Sequence, residues 1–450
     1  MAELIRRDQK TGLIFFPAFD WAITPTHPER EERLLYTRDQ IFEEGILDHP
    51  AIIEYKPRLA NTTDIERVHF CVPDAAAQTT NAHLISAGSA LKLGDALIKG
   101  EIKNGFALVR PPGHHAMRIV HGNRGFCNIN NEAILVEYLR SKYGLRRVAI
   151  VDTDVHHGDG TQDIFYHDPD ILFISLHQDG RTLYPGSGFP NEAGGPGAHH
   201  ATVNIPLPPG TTDEGFLRVL REIILPALQA FQPELVINSA GQDNHFTDPL
   251  ANMKVTAAGY ARLTAELKPD LAVLEGGYAV ETALPYVNLA ILLALAGEDY
   301  SCVVEPQKRR ADFRVSVEIT REIDALIKYW QDRFSQRPPD KESLFGPDRV
   351  YKRPRSIYYD TDQIQERQKE TVWYCPDCPG IYQVSSFAQK AYGQGYDILG
   401  ISIPLYACLS CRKKAYELWE QVLREHRKSP RYDFLYLQDK QSNLYLREKR

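Results

Sequence analysis

The sequence predicts an α/β sandwich, in which helices cover both faces of a central parallel β-sheet, followed by a small domain built around cysteines. Short apolar runs without polar alternation recur along about two thirds of the 450 residues, and helical patterns separate them. Two CxxC pairs follow a segment rich in proline and charge. We therefore divide the chain into an α/β domain at 1–334, a linker at 335–365 and a C-terminal domain at 366–450.

Five apolar runs predict the buried strands of the sheet. They are GFALVR at 105–110, RVAIVD at 147–152, ILFIS at 171–175, LVINS at 235–239 and LAVLE at 271–275. Helices are expected at 79–100, 129–143, 213–230, 255–266, 279–298 and 315–334. In open parallel sheets the chemistry lies at the carboxyl ends of the strands. The segments there are RPPGHH, DTDVHHGDG, SLHQDG, SAGQD and EGGY, so we expect one active-site edge.

Charge and composition disfavour several classes of protein. The net charge is −7, which is unlike a strongly basic nucleic-acid binder, although the last 100 residues carry 17 Lys and Arg against 12 Asp and Glu. No run of about 18 apolar residues predicts a membrane span, and the N-terminus lacks the pattern of a signal peptide. Four of the seven cysteines form CxxC pairs, which favours metal binding in a reducing compartment. We expect a cytoplasmic protein, with a nuclear location left open.

Asp154 and His156 are the strongest candidate metal ligands. Both follow the strand at 147–152, where alternate side chains point the same way and can converge on one ion. Asp243, after the strand at 235–239, is the expected third ligand. Three protein ligands leave a position open for water, as catalytic zinc requires. The plainer alternative, helix-capping acids and a buried structural histidine, is disfavoured by the four other polar strand ends.

The motifs RPPGHHA, GFCNINN, VDTDVHHGDGT, SLHQDG, YPGSG, SAGQD, DPL and LEGGY resemble those of the zinc-dependent histone deacetylase family in order and approximate spacing. The resemblance covers about residues 10–300 and is closest to bacterial-type or class II-like members. It implies the three-layer αβα arginase–deacetylase fold, with about eight parallel strands in the central sheet. It further implies a hydrolase that removes acyl groups from amines.

The resemblance assigns a role to each strand-end residue. Asp154, His156 and Asp243 match the ligands of a catalytic Zn²⁺ that activates water. His114 and His115 match the tandem histidines, and we favour His115 as the main general base.

Carboxylates behind the two histidines are also implied. Asp152 matches the acid that orients His114, and Asp159 matches the acid that orients His115. Tyr278 matches the tyrosine that donates to the developing oxyanion. Family members with histidine in place of this tyrosine hydrolyse acetyl-lysine poorly, so Tyr278 favours activity.

A substrate channel and a second ion are implied in the same way. The channel residues that match are Gly125, Phe126, Tyr184 and Gly277. A structural K⁺ is implied beside the zinc site, near Asp152, Asp154, His156, Ser175 and Leu176.

Two other functions share parts of this pattern. The arginase relatives have the same fold but need a two-metal cluster, whose extra carboxylates are replaced here by Gly158 and His245. A module that binds acyl-lysine without turnover would not need the full set of catalytic groups. Metal stoichiometry and the rate of a Tyr278→Phe variant distinguish these alternatives.

The two CxxC pairs predict a structural Zn²⁺ site in the C-terminal domain. Cys375, Cys378, Cys408 and Cys411 form a CxxC–x29–CxxC pattern, which is typical of a zinc ribbon with four cysteine ligands. Residues 413–428 predict a terminal amphipathic helix with a basic face. Contact with nucleic acid or a protein partner through this domain is one interpretation, and a solvated charged surface is the plainer one.

The expected substrate is an acyl-lysine side chain in a protein. A small acetylated amine, such as an acetylpolyamine, is the alternative, and it requires an acid at the channel entrance that recognises a second amine. The segment 72–86 is short where many relatives carry a substrate-gripping loop with an acid, and Asp74 is the candidate there.

Overall fold

A computed structural model of the chain describes residues 10–336, 339–393 and 395–450. The strands of the α/β domain are β1 (Lys10–Phe16), β2 (Ile52–Glu54), β3 (Phe70–Cys71), β4 (Ile102–Val109), β5 (Ile119–Val120), β6 (Val148–Asp152), β7 (Ile171–Gln178), β8 (Thr202–Leu207), β9 (Leu235–Ala240) and β10 (Leu271–Leu274). Eight of them form one sheet in the order β2-β1-β4-β10-β9-β6-β7-β8. All neighbours in it run parallel, and β3 pairs separately with β5.

Helices cover both faces of this sheet. They are α1 (Leu35–Glu43), α2 (Thr62–Glu66), α3 (Ala75–Gln78), α4 (Asn81–Ile98), α5 (Asn131–Tyr143), α6 (Asp159–Phe165), α7 (Asp213–Val219), α8 (Leu225–Phe231), α9 (Ala257–Leu267), α10 (Leu284–Ala296) and α11 (Val317–Ser335). A π-helical turn, Leu220–Ile224, joins α7 to α8. Alternate residues of β4 pack into two different hydrophobic clusters: Phe106 and Leu108 belong to one cluster, and Ala107 and Val109 belong to the other. This alternation produces the three layers.

The five predicted strands and six predicted helices of this domain are confirmed within a few residues. Strands β1, β2 and β8 complete the sheet beyond that prediction. β2 has only three residues and ends in Glu54, and β8 contains the buried Asn204, whose amide donates to Gln162. A short or polar strand gives too weak a hydropathy signal to be recognised.

The C-terminal domain is a six-stranded sheet with one long helix against it. Its elements are α12 (Lys341–Phe345), β11 (Val350–Tyr359), β12 (Ile364–Trp373), β13 (Ile381–Lys390), β14 (Gly395–Ile403), α13 (Leu409–Lys428), β15 (Phe434–Asp439) and β16 (Leu444–Lys449). The strands lie in chain order, and all pairs are antiparallel except β14 with β15, which α13 connects. This sheet is larger than the two cysteine knuckles of a ribbon.

The sequence predicts a linker over 335–365, but Val350–Tyr359 forms the edge strand β11. Its exposed positions alternate with inward ones and include Lys352 and Pro354, the residue types typical of an edge strand. That composition also resembles a linker, so the sequence pattern does not separate the two. Residues 1–9 of the predicted α/β domain and 337–338 of the predicted linker lie outside the described residues.

Buried polar contacts fix the C-terminal domain on the α/β domain. Tyr359 donates to the carbonyl of Ile119 at 2.8 Å, and the Lys440 ammonium lies 3.2 Å from Glu137. Arg355 forms an ion pair with Asp163 of α6. The two domains therefore share a desolvated interface. Within the described residues, no helix is long and apolar enough to cross a membrane.

Candidate active site

Three candidate metal ligands converge at the carboxyl end of the sheet. Asp154 and His156 lie between β6 and α6, and Asp243 follows β9. The Nδ1 atom of His156 lies 3.1 Å from Asp154 Oδ1 and 3.1 Å from Asp243 Oδ2. The three donor atoms lie within 4.8 Å of one another, and both carboxylates are buried. This group could hold a metal ion.

The donor set suits one divalent cation. Nitrogen and oxygen ligands placed tetrahedrally at about 2.0–2.1 Å from zinc are about 3.3 Å apart, close to the 3.1 Å between the His156 nitrogen and each carboxylate oxygen. Backbone amides hold the carboxylates in place: Val155 N–H donates to Asp243 at 2.8 Å, and Gly276 N–H donates to Asp154 at 2.7 Å. Such hydrogen bonds orient metal ligands.

His114 lies beside this group. Its Nδ1 is 3.0 Å from Asp152 Oδ2, and its Nε2 is 3.7 Å from Asp154 Oδ1. Burial lowers the pKa of His114, but the charges of Asp154 and Asp152 outweigh burial and raise that pKa to about 10. The imidazole is therefore suited to carry a positive charge.

His115 has the opposite electrostatics. Its Nδ1 lies 2.8 Å from Asp159 Oδ1, and the centre of its ring lies 4.1 Å from that of His114. Burial, followed by the charge of His114, lowers the pKa of His115 to about 3. Arg124 also donates to Asp159 at 2.8 Å, so that carboxylate is shared between a cation and an imidazole. His115 is thus kept neutral, with Nε2 free to accept a proton.

A carboxylate at the end of β10 fixes the backbone of the histidine pair. Glu275 Oε2 accepts hydrogen bonds from the N–H groups of Gly113 at 2.8 Å and His114 at 3.0 Å. Burial and the nearby Glu132 raise the pKa of Glu275 well above its usual range. Glu275 belongs to the EGGY motif, but sequence reasoning assigned it no role because its contacts are to backbone atoms.

Tyr278 reaches the same site from the loop after β10. A Cβ atom added at Gly276 would overlap the carboxylates of Asp243 and Asp154, so only glycine permits this close approach. Gly277 has φ +118° and turns the chain. The Tyr278 N–H donates to Asp248 at 2.7 Å. The tyrosine side chain is therefore presented to the metal group on a fixed loop.

A buried arginine missed by the sequence reasoning supports this loop. Arg33 donates through Nε to the carbonyl of Gly277 at 2.8 Å, contacts the carbonyl of Glu275, and lies over the Tyr278 ring at 5.0 Å. Glu29 pairs with Arg33 at 2.7 Å and with Arg110 at 2.7 Å. Arg33 lies in a single 3-10 turn, Glu31–Leu34, and gives no sequence signal, because its partners are distant in the chain.

The site opens through a cavity of about 290 Å³ that we call the channel. Its walls include the predicted Gly125, Phe126 and Tyr184, together with Leu183, Leu250 and Tyr278. The Phe126 ring meets the Tyr278 ring edge-on at 5.5 Å. Gly277, which is also predicted as a channel residue, is not among the residues that line this cavity.

The C-terminal domain also reaches the channel. Asp360, in the β11–β12 turn, lines the cavity and accepts hydrogen bonds from Gly125 N–H and the Tyr184 hydroxyl, both at 2.9 Å. Asp74, the sequence candidate for an entrance acid, instead caps α3 and pairs with Arg447 at 2.7 Å. These contacts hold the Asp74 carboxylate at the domain interface, so it is unavailable to the channel.

The second metal of a two-metal cluster would need carboxylate ligands at positions 158 and 245, and the surroundings of these two positions do not suit it. A Cβ atom at Gly158 would overlap Asp152 Oδ2. The buried His245 lies 2.6 Å from Glu305, so this imidazole is committed to a structural pair. Among the described residues, the Asp–His group and the four cysteines are the two clusters that could hold a metal ion.

The residues named for K⁺ lie at adjoining strand ends. Asp152 pairs in register with Ser175 in neighbouring strands, and the Ser175 hydroxyl lies 2.9 Å from His177 Nδ1. Asp154, His156 and Leu176 lie close to these ends in the chain. Potassium itself stays a prediction.

The four cysteines come together at one end of the C-terminal sheet. Cys375 and Cys378 lie between β12 and β13, and Cys408 caps α13 with Cys411 in its first turn. The sulfurs lie within 4.8 Å of one another. Cys375 Sγ and Cys408 Sγ are 3.8 Å apart, as expected for tetrahedral thiolates at about 2.3 Å from zinc.

Comparisons with known proteins agree with this geometry. Residues 74–294 match the family model described as "Histone deacetylase domain". The chain is 45% identical over 325 residues to a "Probable deacetylase" of Archaeoglobus fulgidus, a match that covers 66% of this chain and 89% of that protein. It is 41% identical over 239 residues to "Histone deacetylase 14, chloroplastic" of Arabidopsis thaliana, covering 50% of this chain and 55% of that protein. A solved structure described as "Crystal Structure of HDA15 HD domain" has a TM-score of 0.61 and 28% identity, and it covers 74% of this chain and 100% of that chain.

Proposed function

Because this chain belongs to the histone deacetylase family, we propose that it is a zinc-dependent hydrolase that removes acyl groups from amines. The acyl-lysine side chain of a protein is the first candidate substrate. The observation that supports hydrolysis is the joint placement of the Asp154–His156–Asp243 group, the histidine pair and Tyr278 around one channel.

The chain's own residues supply the acid–base chemistry. Zinc bound by Asp154, His156 and Asp243 would activate water and polarise the amide carbonyl. His115 accepts the proton of the attacking water at Nε2, because its Nδ1 is held by Asp159. The same imidazole then donates this proton to the leaving amine.

Tyr278 and the channel walls complete the reaction. The Tyr278 hydroxyl donates a hydrogen bond to the developing oxyanion, and its buried loop limits rearrangement during the reaction. Phe126 and Tyr184 confine the alkyl chain of the acylated amine. His114 lies beside the carboxylates, with its Nδ1 held 3.0 Å from Asp152 Oδ2.

The direct test is acetate release by the zinc-loaded full-length protein from an acetyl-lysine peptide. Tyr278→Phe removes one oxyanion donor and should lower kcat by about 10²–10³-fold. The peptide dissociation constant, measured by titration, should change little, because the hydroxyl acts mainly in the transition state. No acetate release by the wild-type protein, with the peptide bound, would favour a reader of acyl-lysine.

A small acetylated amine is the second candidate substrate. The observation that favours it is Asp360, an acid in the channel lining that the appended domain provides. Comparing an acetylated polyamine with the acetyl-lysine peptide in the same assay decides between the two candidates. The structural K⁺, a cytoplasmic location and a nucleic-acid or protein partner for the C-terminal domain remain separate predictions.

A further inference from the structure

The turn between β11 and β12 forms part of the channel wall. Asp360 bridges two segments of the α/β domain, since its Oδ1 accepts from the Gly125 N–H at 2.9 Å and from the Tyr184 hydroxyl at 2.9 Å. Asp362 accepts from the Asn123 N–H at 2.8 Å in the same turn. The C-terminal domain thus contacts Tyr184 and the residue that precedes Phe126 through one carboxylate.

The anchors of this turn are buried. Tyr359 immediately precedes Asp360, is 1% exposed, and donates to the Ile119 carbonyl. Arg124 donates to the carbonyl of Tyr358 at 3.1 Å. The turn is therefore fixed on the α/β domain and does not depend on side-chain contacts of Asp360 alone.

Asp360 brings an unneutralised charge to the channel. It is the only acidic side chain lining the cavity among the described residues. The guanidinium of Arg124 is committed to both oxygens of Asp159, and burial lowers the pKa of the nearby His27. The second carboxylate oxygen of Asp360 has one long contact, 3.5 Å to the hydroxyl of Thr361. A cation entering the channel would find this oxygen available.

We propose that the C-terminal domain completes the active site, and that Asp360 is a specificity-determining residue that selects acylated amines carrying a second positive charge. This inference rests on the proposed function and specifies its substrate class. The ammonium of a diamine and a basic side chain beside an acyl-lysine present the same chemistry to a carboxylate. The partly buried position strengthens the interaction relative to an exposed ion pair.

Asp360→Asn tests the charge, because asparagine keeps an oxygen that can accept from Gly125 and Tyr184. Two matched substrate pairs are compared with the zinc-loaded full-length enzyme. The first pair is a monoacetylated linear diamine and the N-alkylacetamide of the same length. The second pair is an acetyl-lysine peptide with a neighbouring arginine and the same peptide with alanine.

The wild-type enzyme should prefer the charged member of at least one pair, and Asp360→Asn should reduce that ratio of kcat/KM by about tenfold or more. The pair that responds identifies the source of the charge. Asp362→Asn is the matched control, since it removes a charge from the same turn outside the cavity lining and should retain the wild-type ratio.

A binding measurement gives a readout that needs no turnover. Calorimetric titration should show the free diamine binding about tenfold more tightly than the monoamine, and Asp360→Asn should abolish the difference. Equal kcat/KM within both pairs, together with equal affinities, would overturn this inference while leaving the proposed hydrolase intact. If no substrate released acetate, the proposed function would be wrong. Tighter binding of the diamine by the wild-type protein, lost in Asp360→Asn, would in that case still support recognition of a positive charge by Asp360.

Discussion

Arg124 binds both carboxylate oxygens of Asp159, at 2.8 Å from Oδ1 and 2.6 Å from Oδ2. The same Oδ1 lies 2.8 Å from Nδ1 of His115. A carboxylate behind a histidine normally raises the basicity of the imidazole, but here the guanidinium offsets much of that charge. Burial and the charge of His114 lower the pKa of His115, and the Arg124 guanidinium acts in the same direction, so the proposed general base is neutral before the reaction.

Replacing Arg124 by glutamine should raise the pKa of His115, because a positive charge that disfavours the imidazolium is removed. A general base must be neutral, so the acid limb of the kcat/KM profile should move to higher pH. The measurement is kcat/KM against pH for the zinc-loaded enzyme. The exposed Arg146→Gln is the control and should keep the wild-type profile. An unshifted acid limb in a folded Arg124→Gln protein would contradict the assignment of His115.

The wild-type protein should bind two zinc ions per chain, one in each cluster of candidate ligands. Asp243→Asn should leave only the C-terminal ion, and Cys378→Ser should leave only the catalytic one, since each removes a ligand from one site. Elemental analysis of dialysed protein measures this. Cys302→Ser, at an exposed cysteine, should retain both ions. Two metals in the Cys378→Ser protein would instead indicate the two-metal chemistry of a ureohydrolase.

Removing the Arg355 guanidinium should destabilise the domain interface. Arg355 pairs with Asp163 and lies 3.2 Å from Glu370, and both carboxylates are nearly inaccessible to solvent. Arg355→Met would leave two buried acids with a partner missing, which costs about 3–5 kcal/mol in the free energy of unfolding. Urea denaturation measures the change. Arg314→Met breaks a surface ion pair instead and should have no measurable effect.

His69 should make stability depend on pH. Its Nδ1 lies 2.8 Å from the Met117 carbonyl and its Nε2 accepts from Asn130 N–H at 3.0 Å, so the neutral tautomer is fixed. Burial lowers its pKa from 6.5 to about 3. Below pH 6.5 the His69 imidazole is protonated in the unfolded chain, whereas in the folded protein it stays neutral down to about pH 3. The free energy of unfolding therefore decreases as the pH falls through this range.

His69→Gln should remove about 2 kcal/mol from the fall in unfolding free energy between neutral pH and about pH 5. Denaturation curves across that range provide the measurement. Asn130→Ala removes the cap of α5 without a titrating group, so it should lower stability at every pH by about 1 kcal/mol and keep the wild-type slope. Identical slopes for His69→Gln and the wild type would show that His69 does not titrate in this range.

The hydropathy pattern was sufficient to predict those strands whose signal lies in adjacent residues. Each confirmed strand is centred on an apolar run, because burial on both faces of a parallel sheet favours apolar side chains at successive positions. The candidate metal ligands could also be predicted from the sequence, because the carboxyl ends of parallel strands meet at one edge. The sequence likewise paired Cys375–Cys378 with Cys408–Cys411, since closed zinc sites need four such ligands.

Tertiary structure decided the contacts between residues with no local pattern. Arg33 supports the Tyr278 loop across 244 residues of sequence, and Asp360 reaches Gly125 across 235. The edge strand β11 resembles a linker because solvent exposure favours the same charged residues in both. The sequence by itself therefore determined five strands of the sheet and the candidate ligands at its edge, while long-range packing decided that the C-terminal domain contributes to the channel wall. The physical reason is that strand burial and ligand type are encoded in adjacent residues, whereas an ion pair or a backbone hydrogen bond between distant segments exists only after the chain has packed.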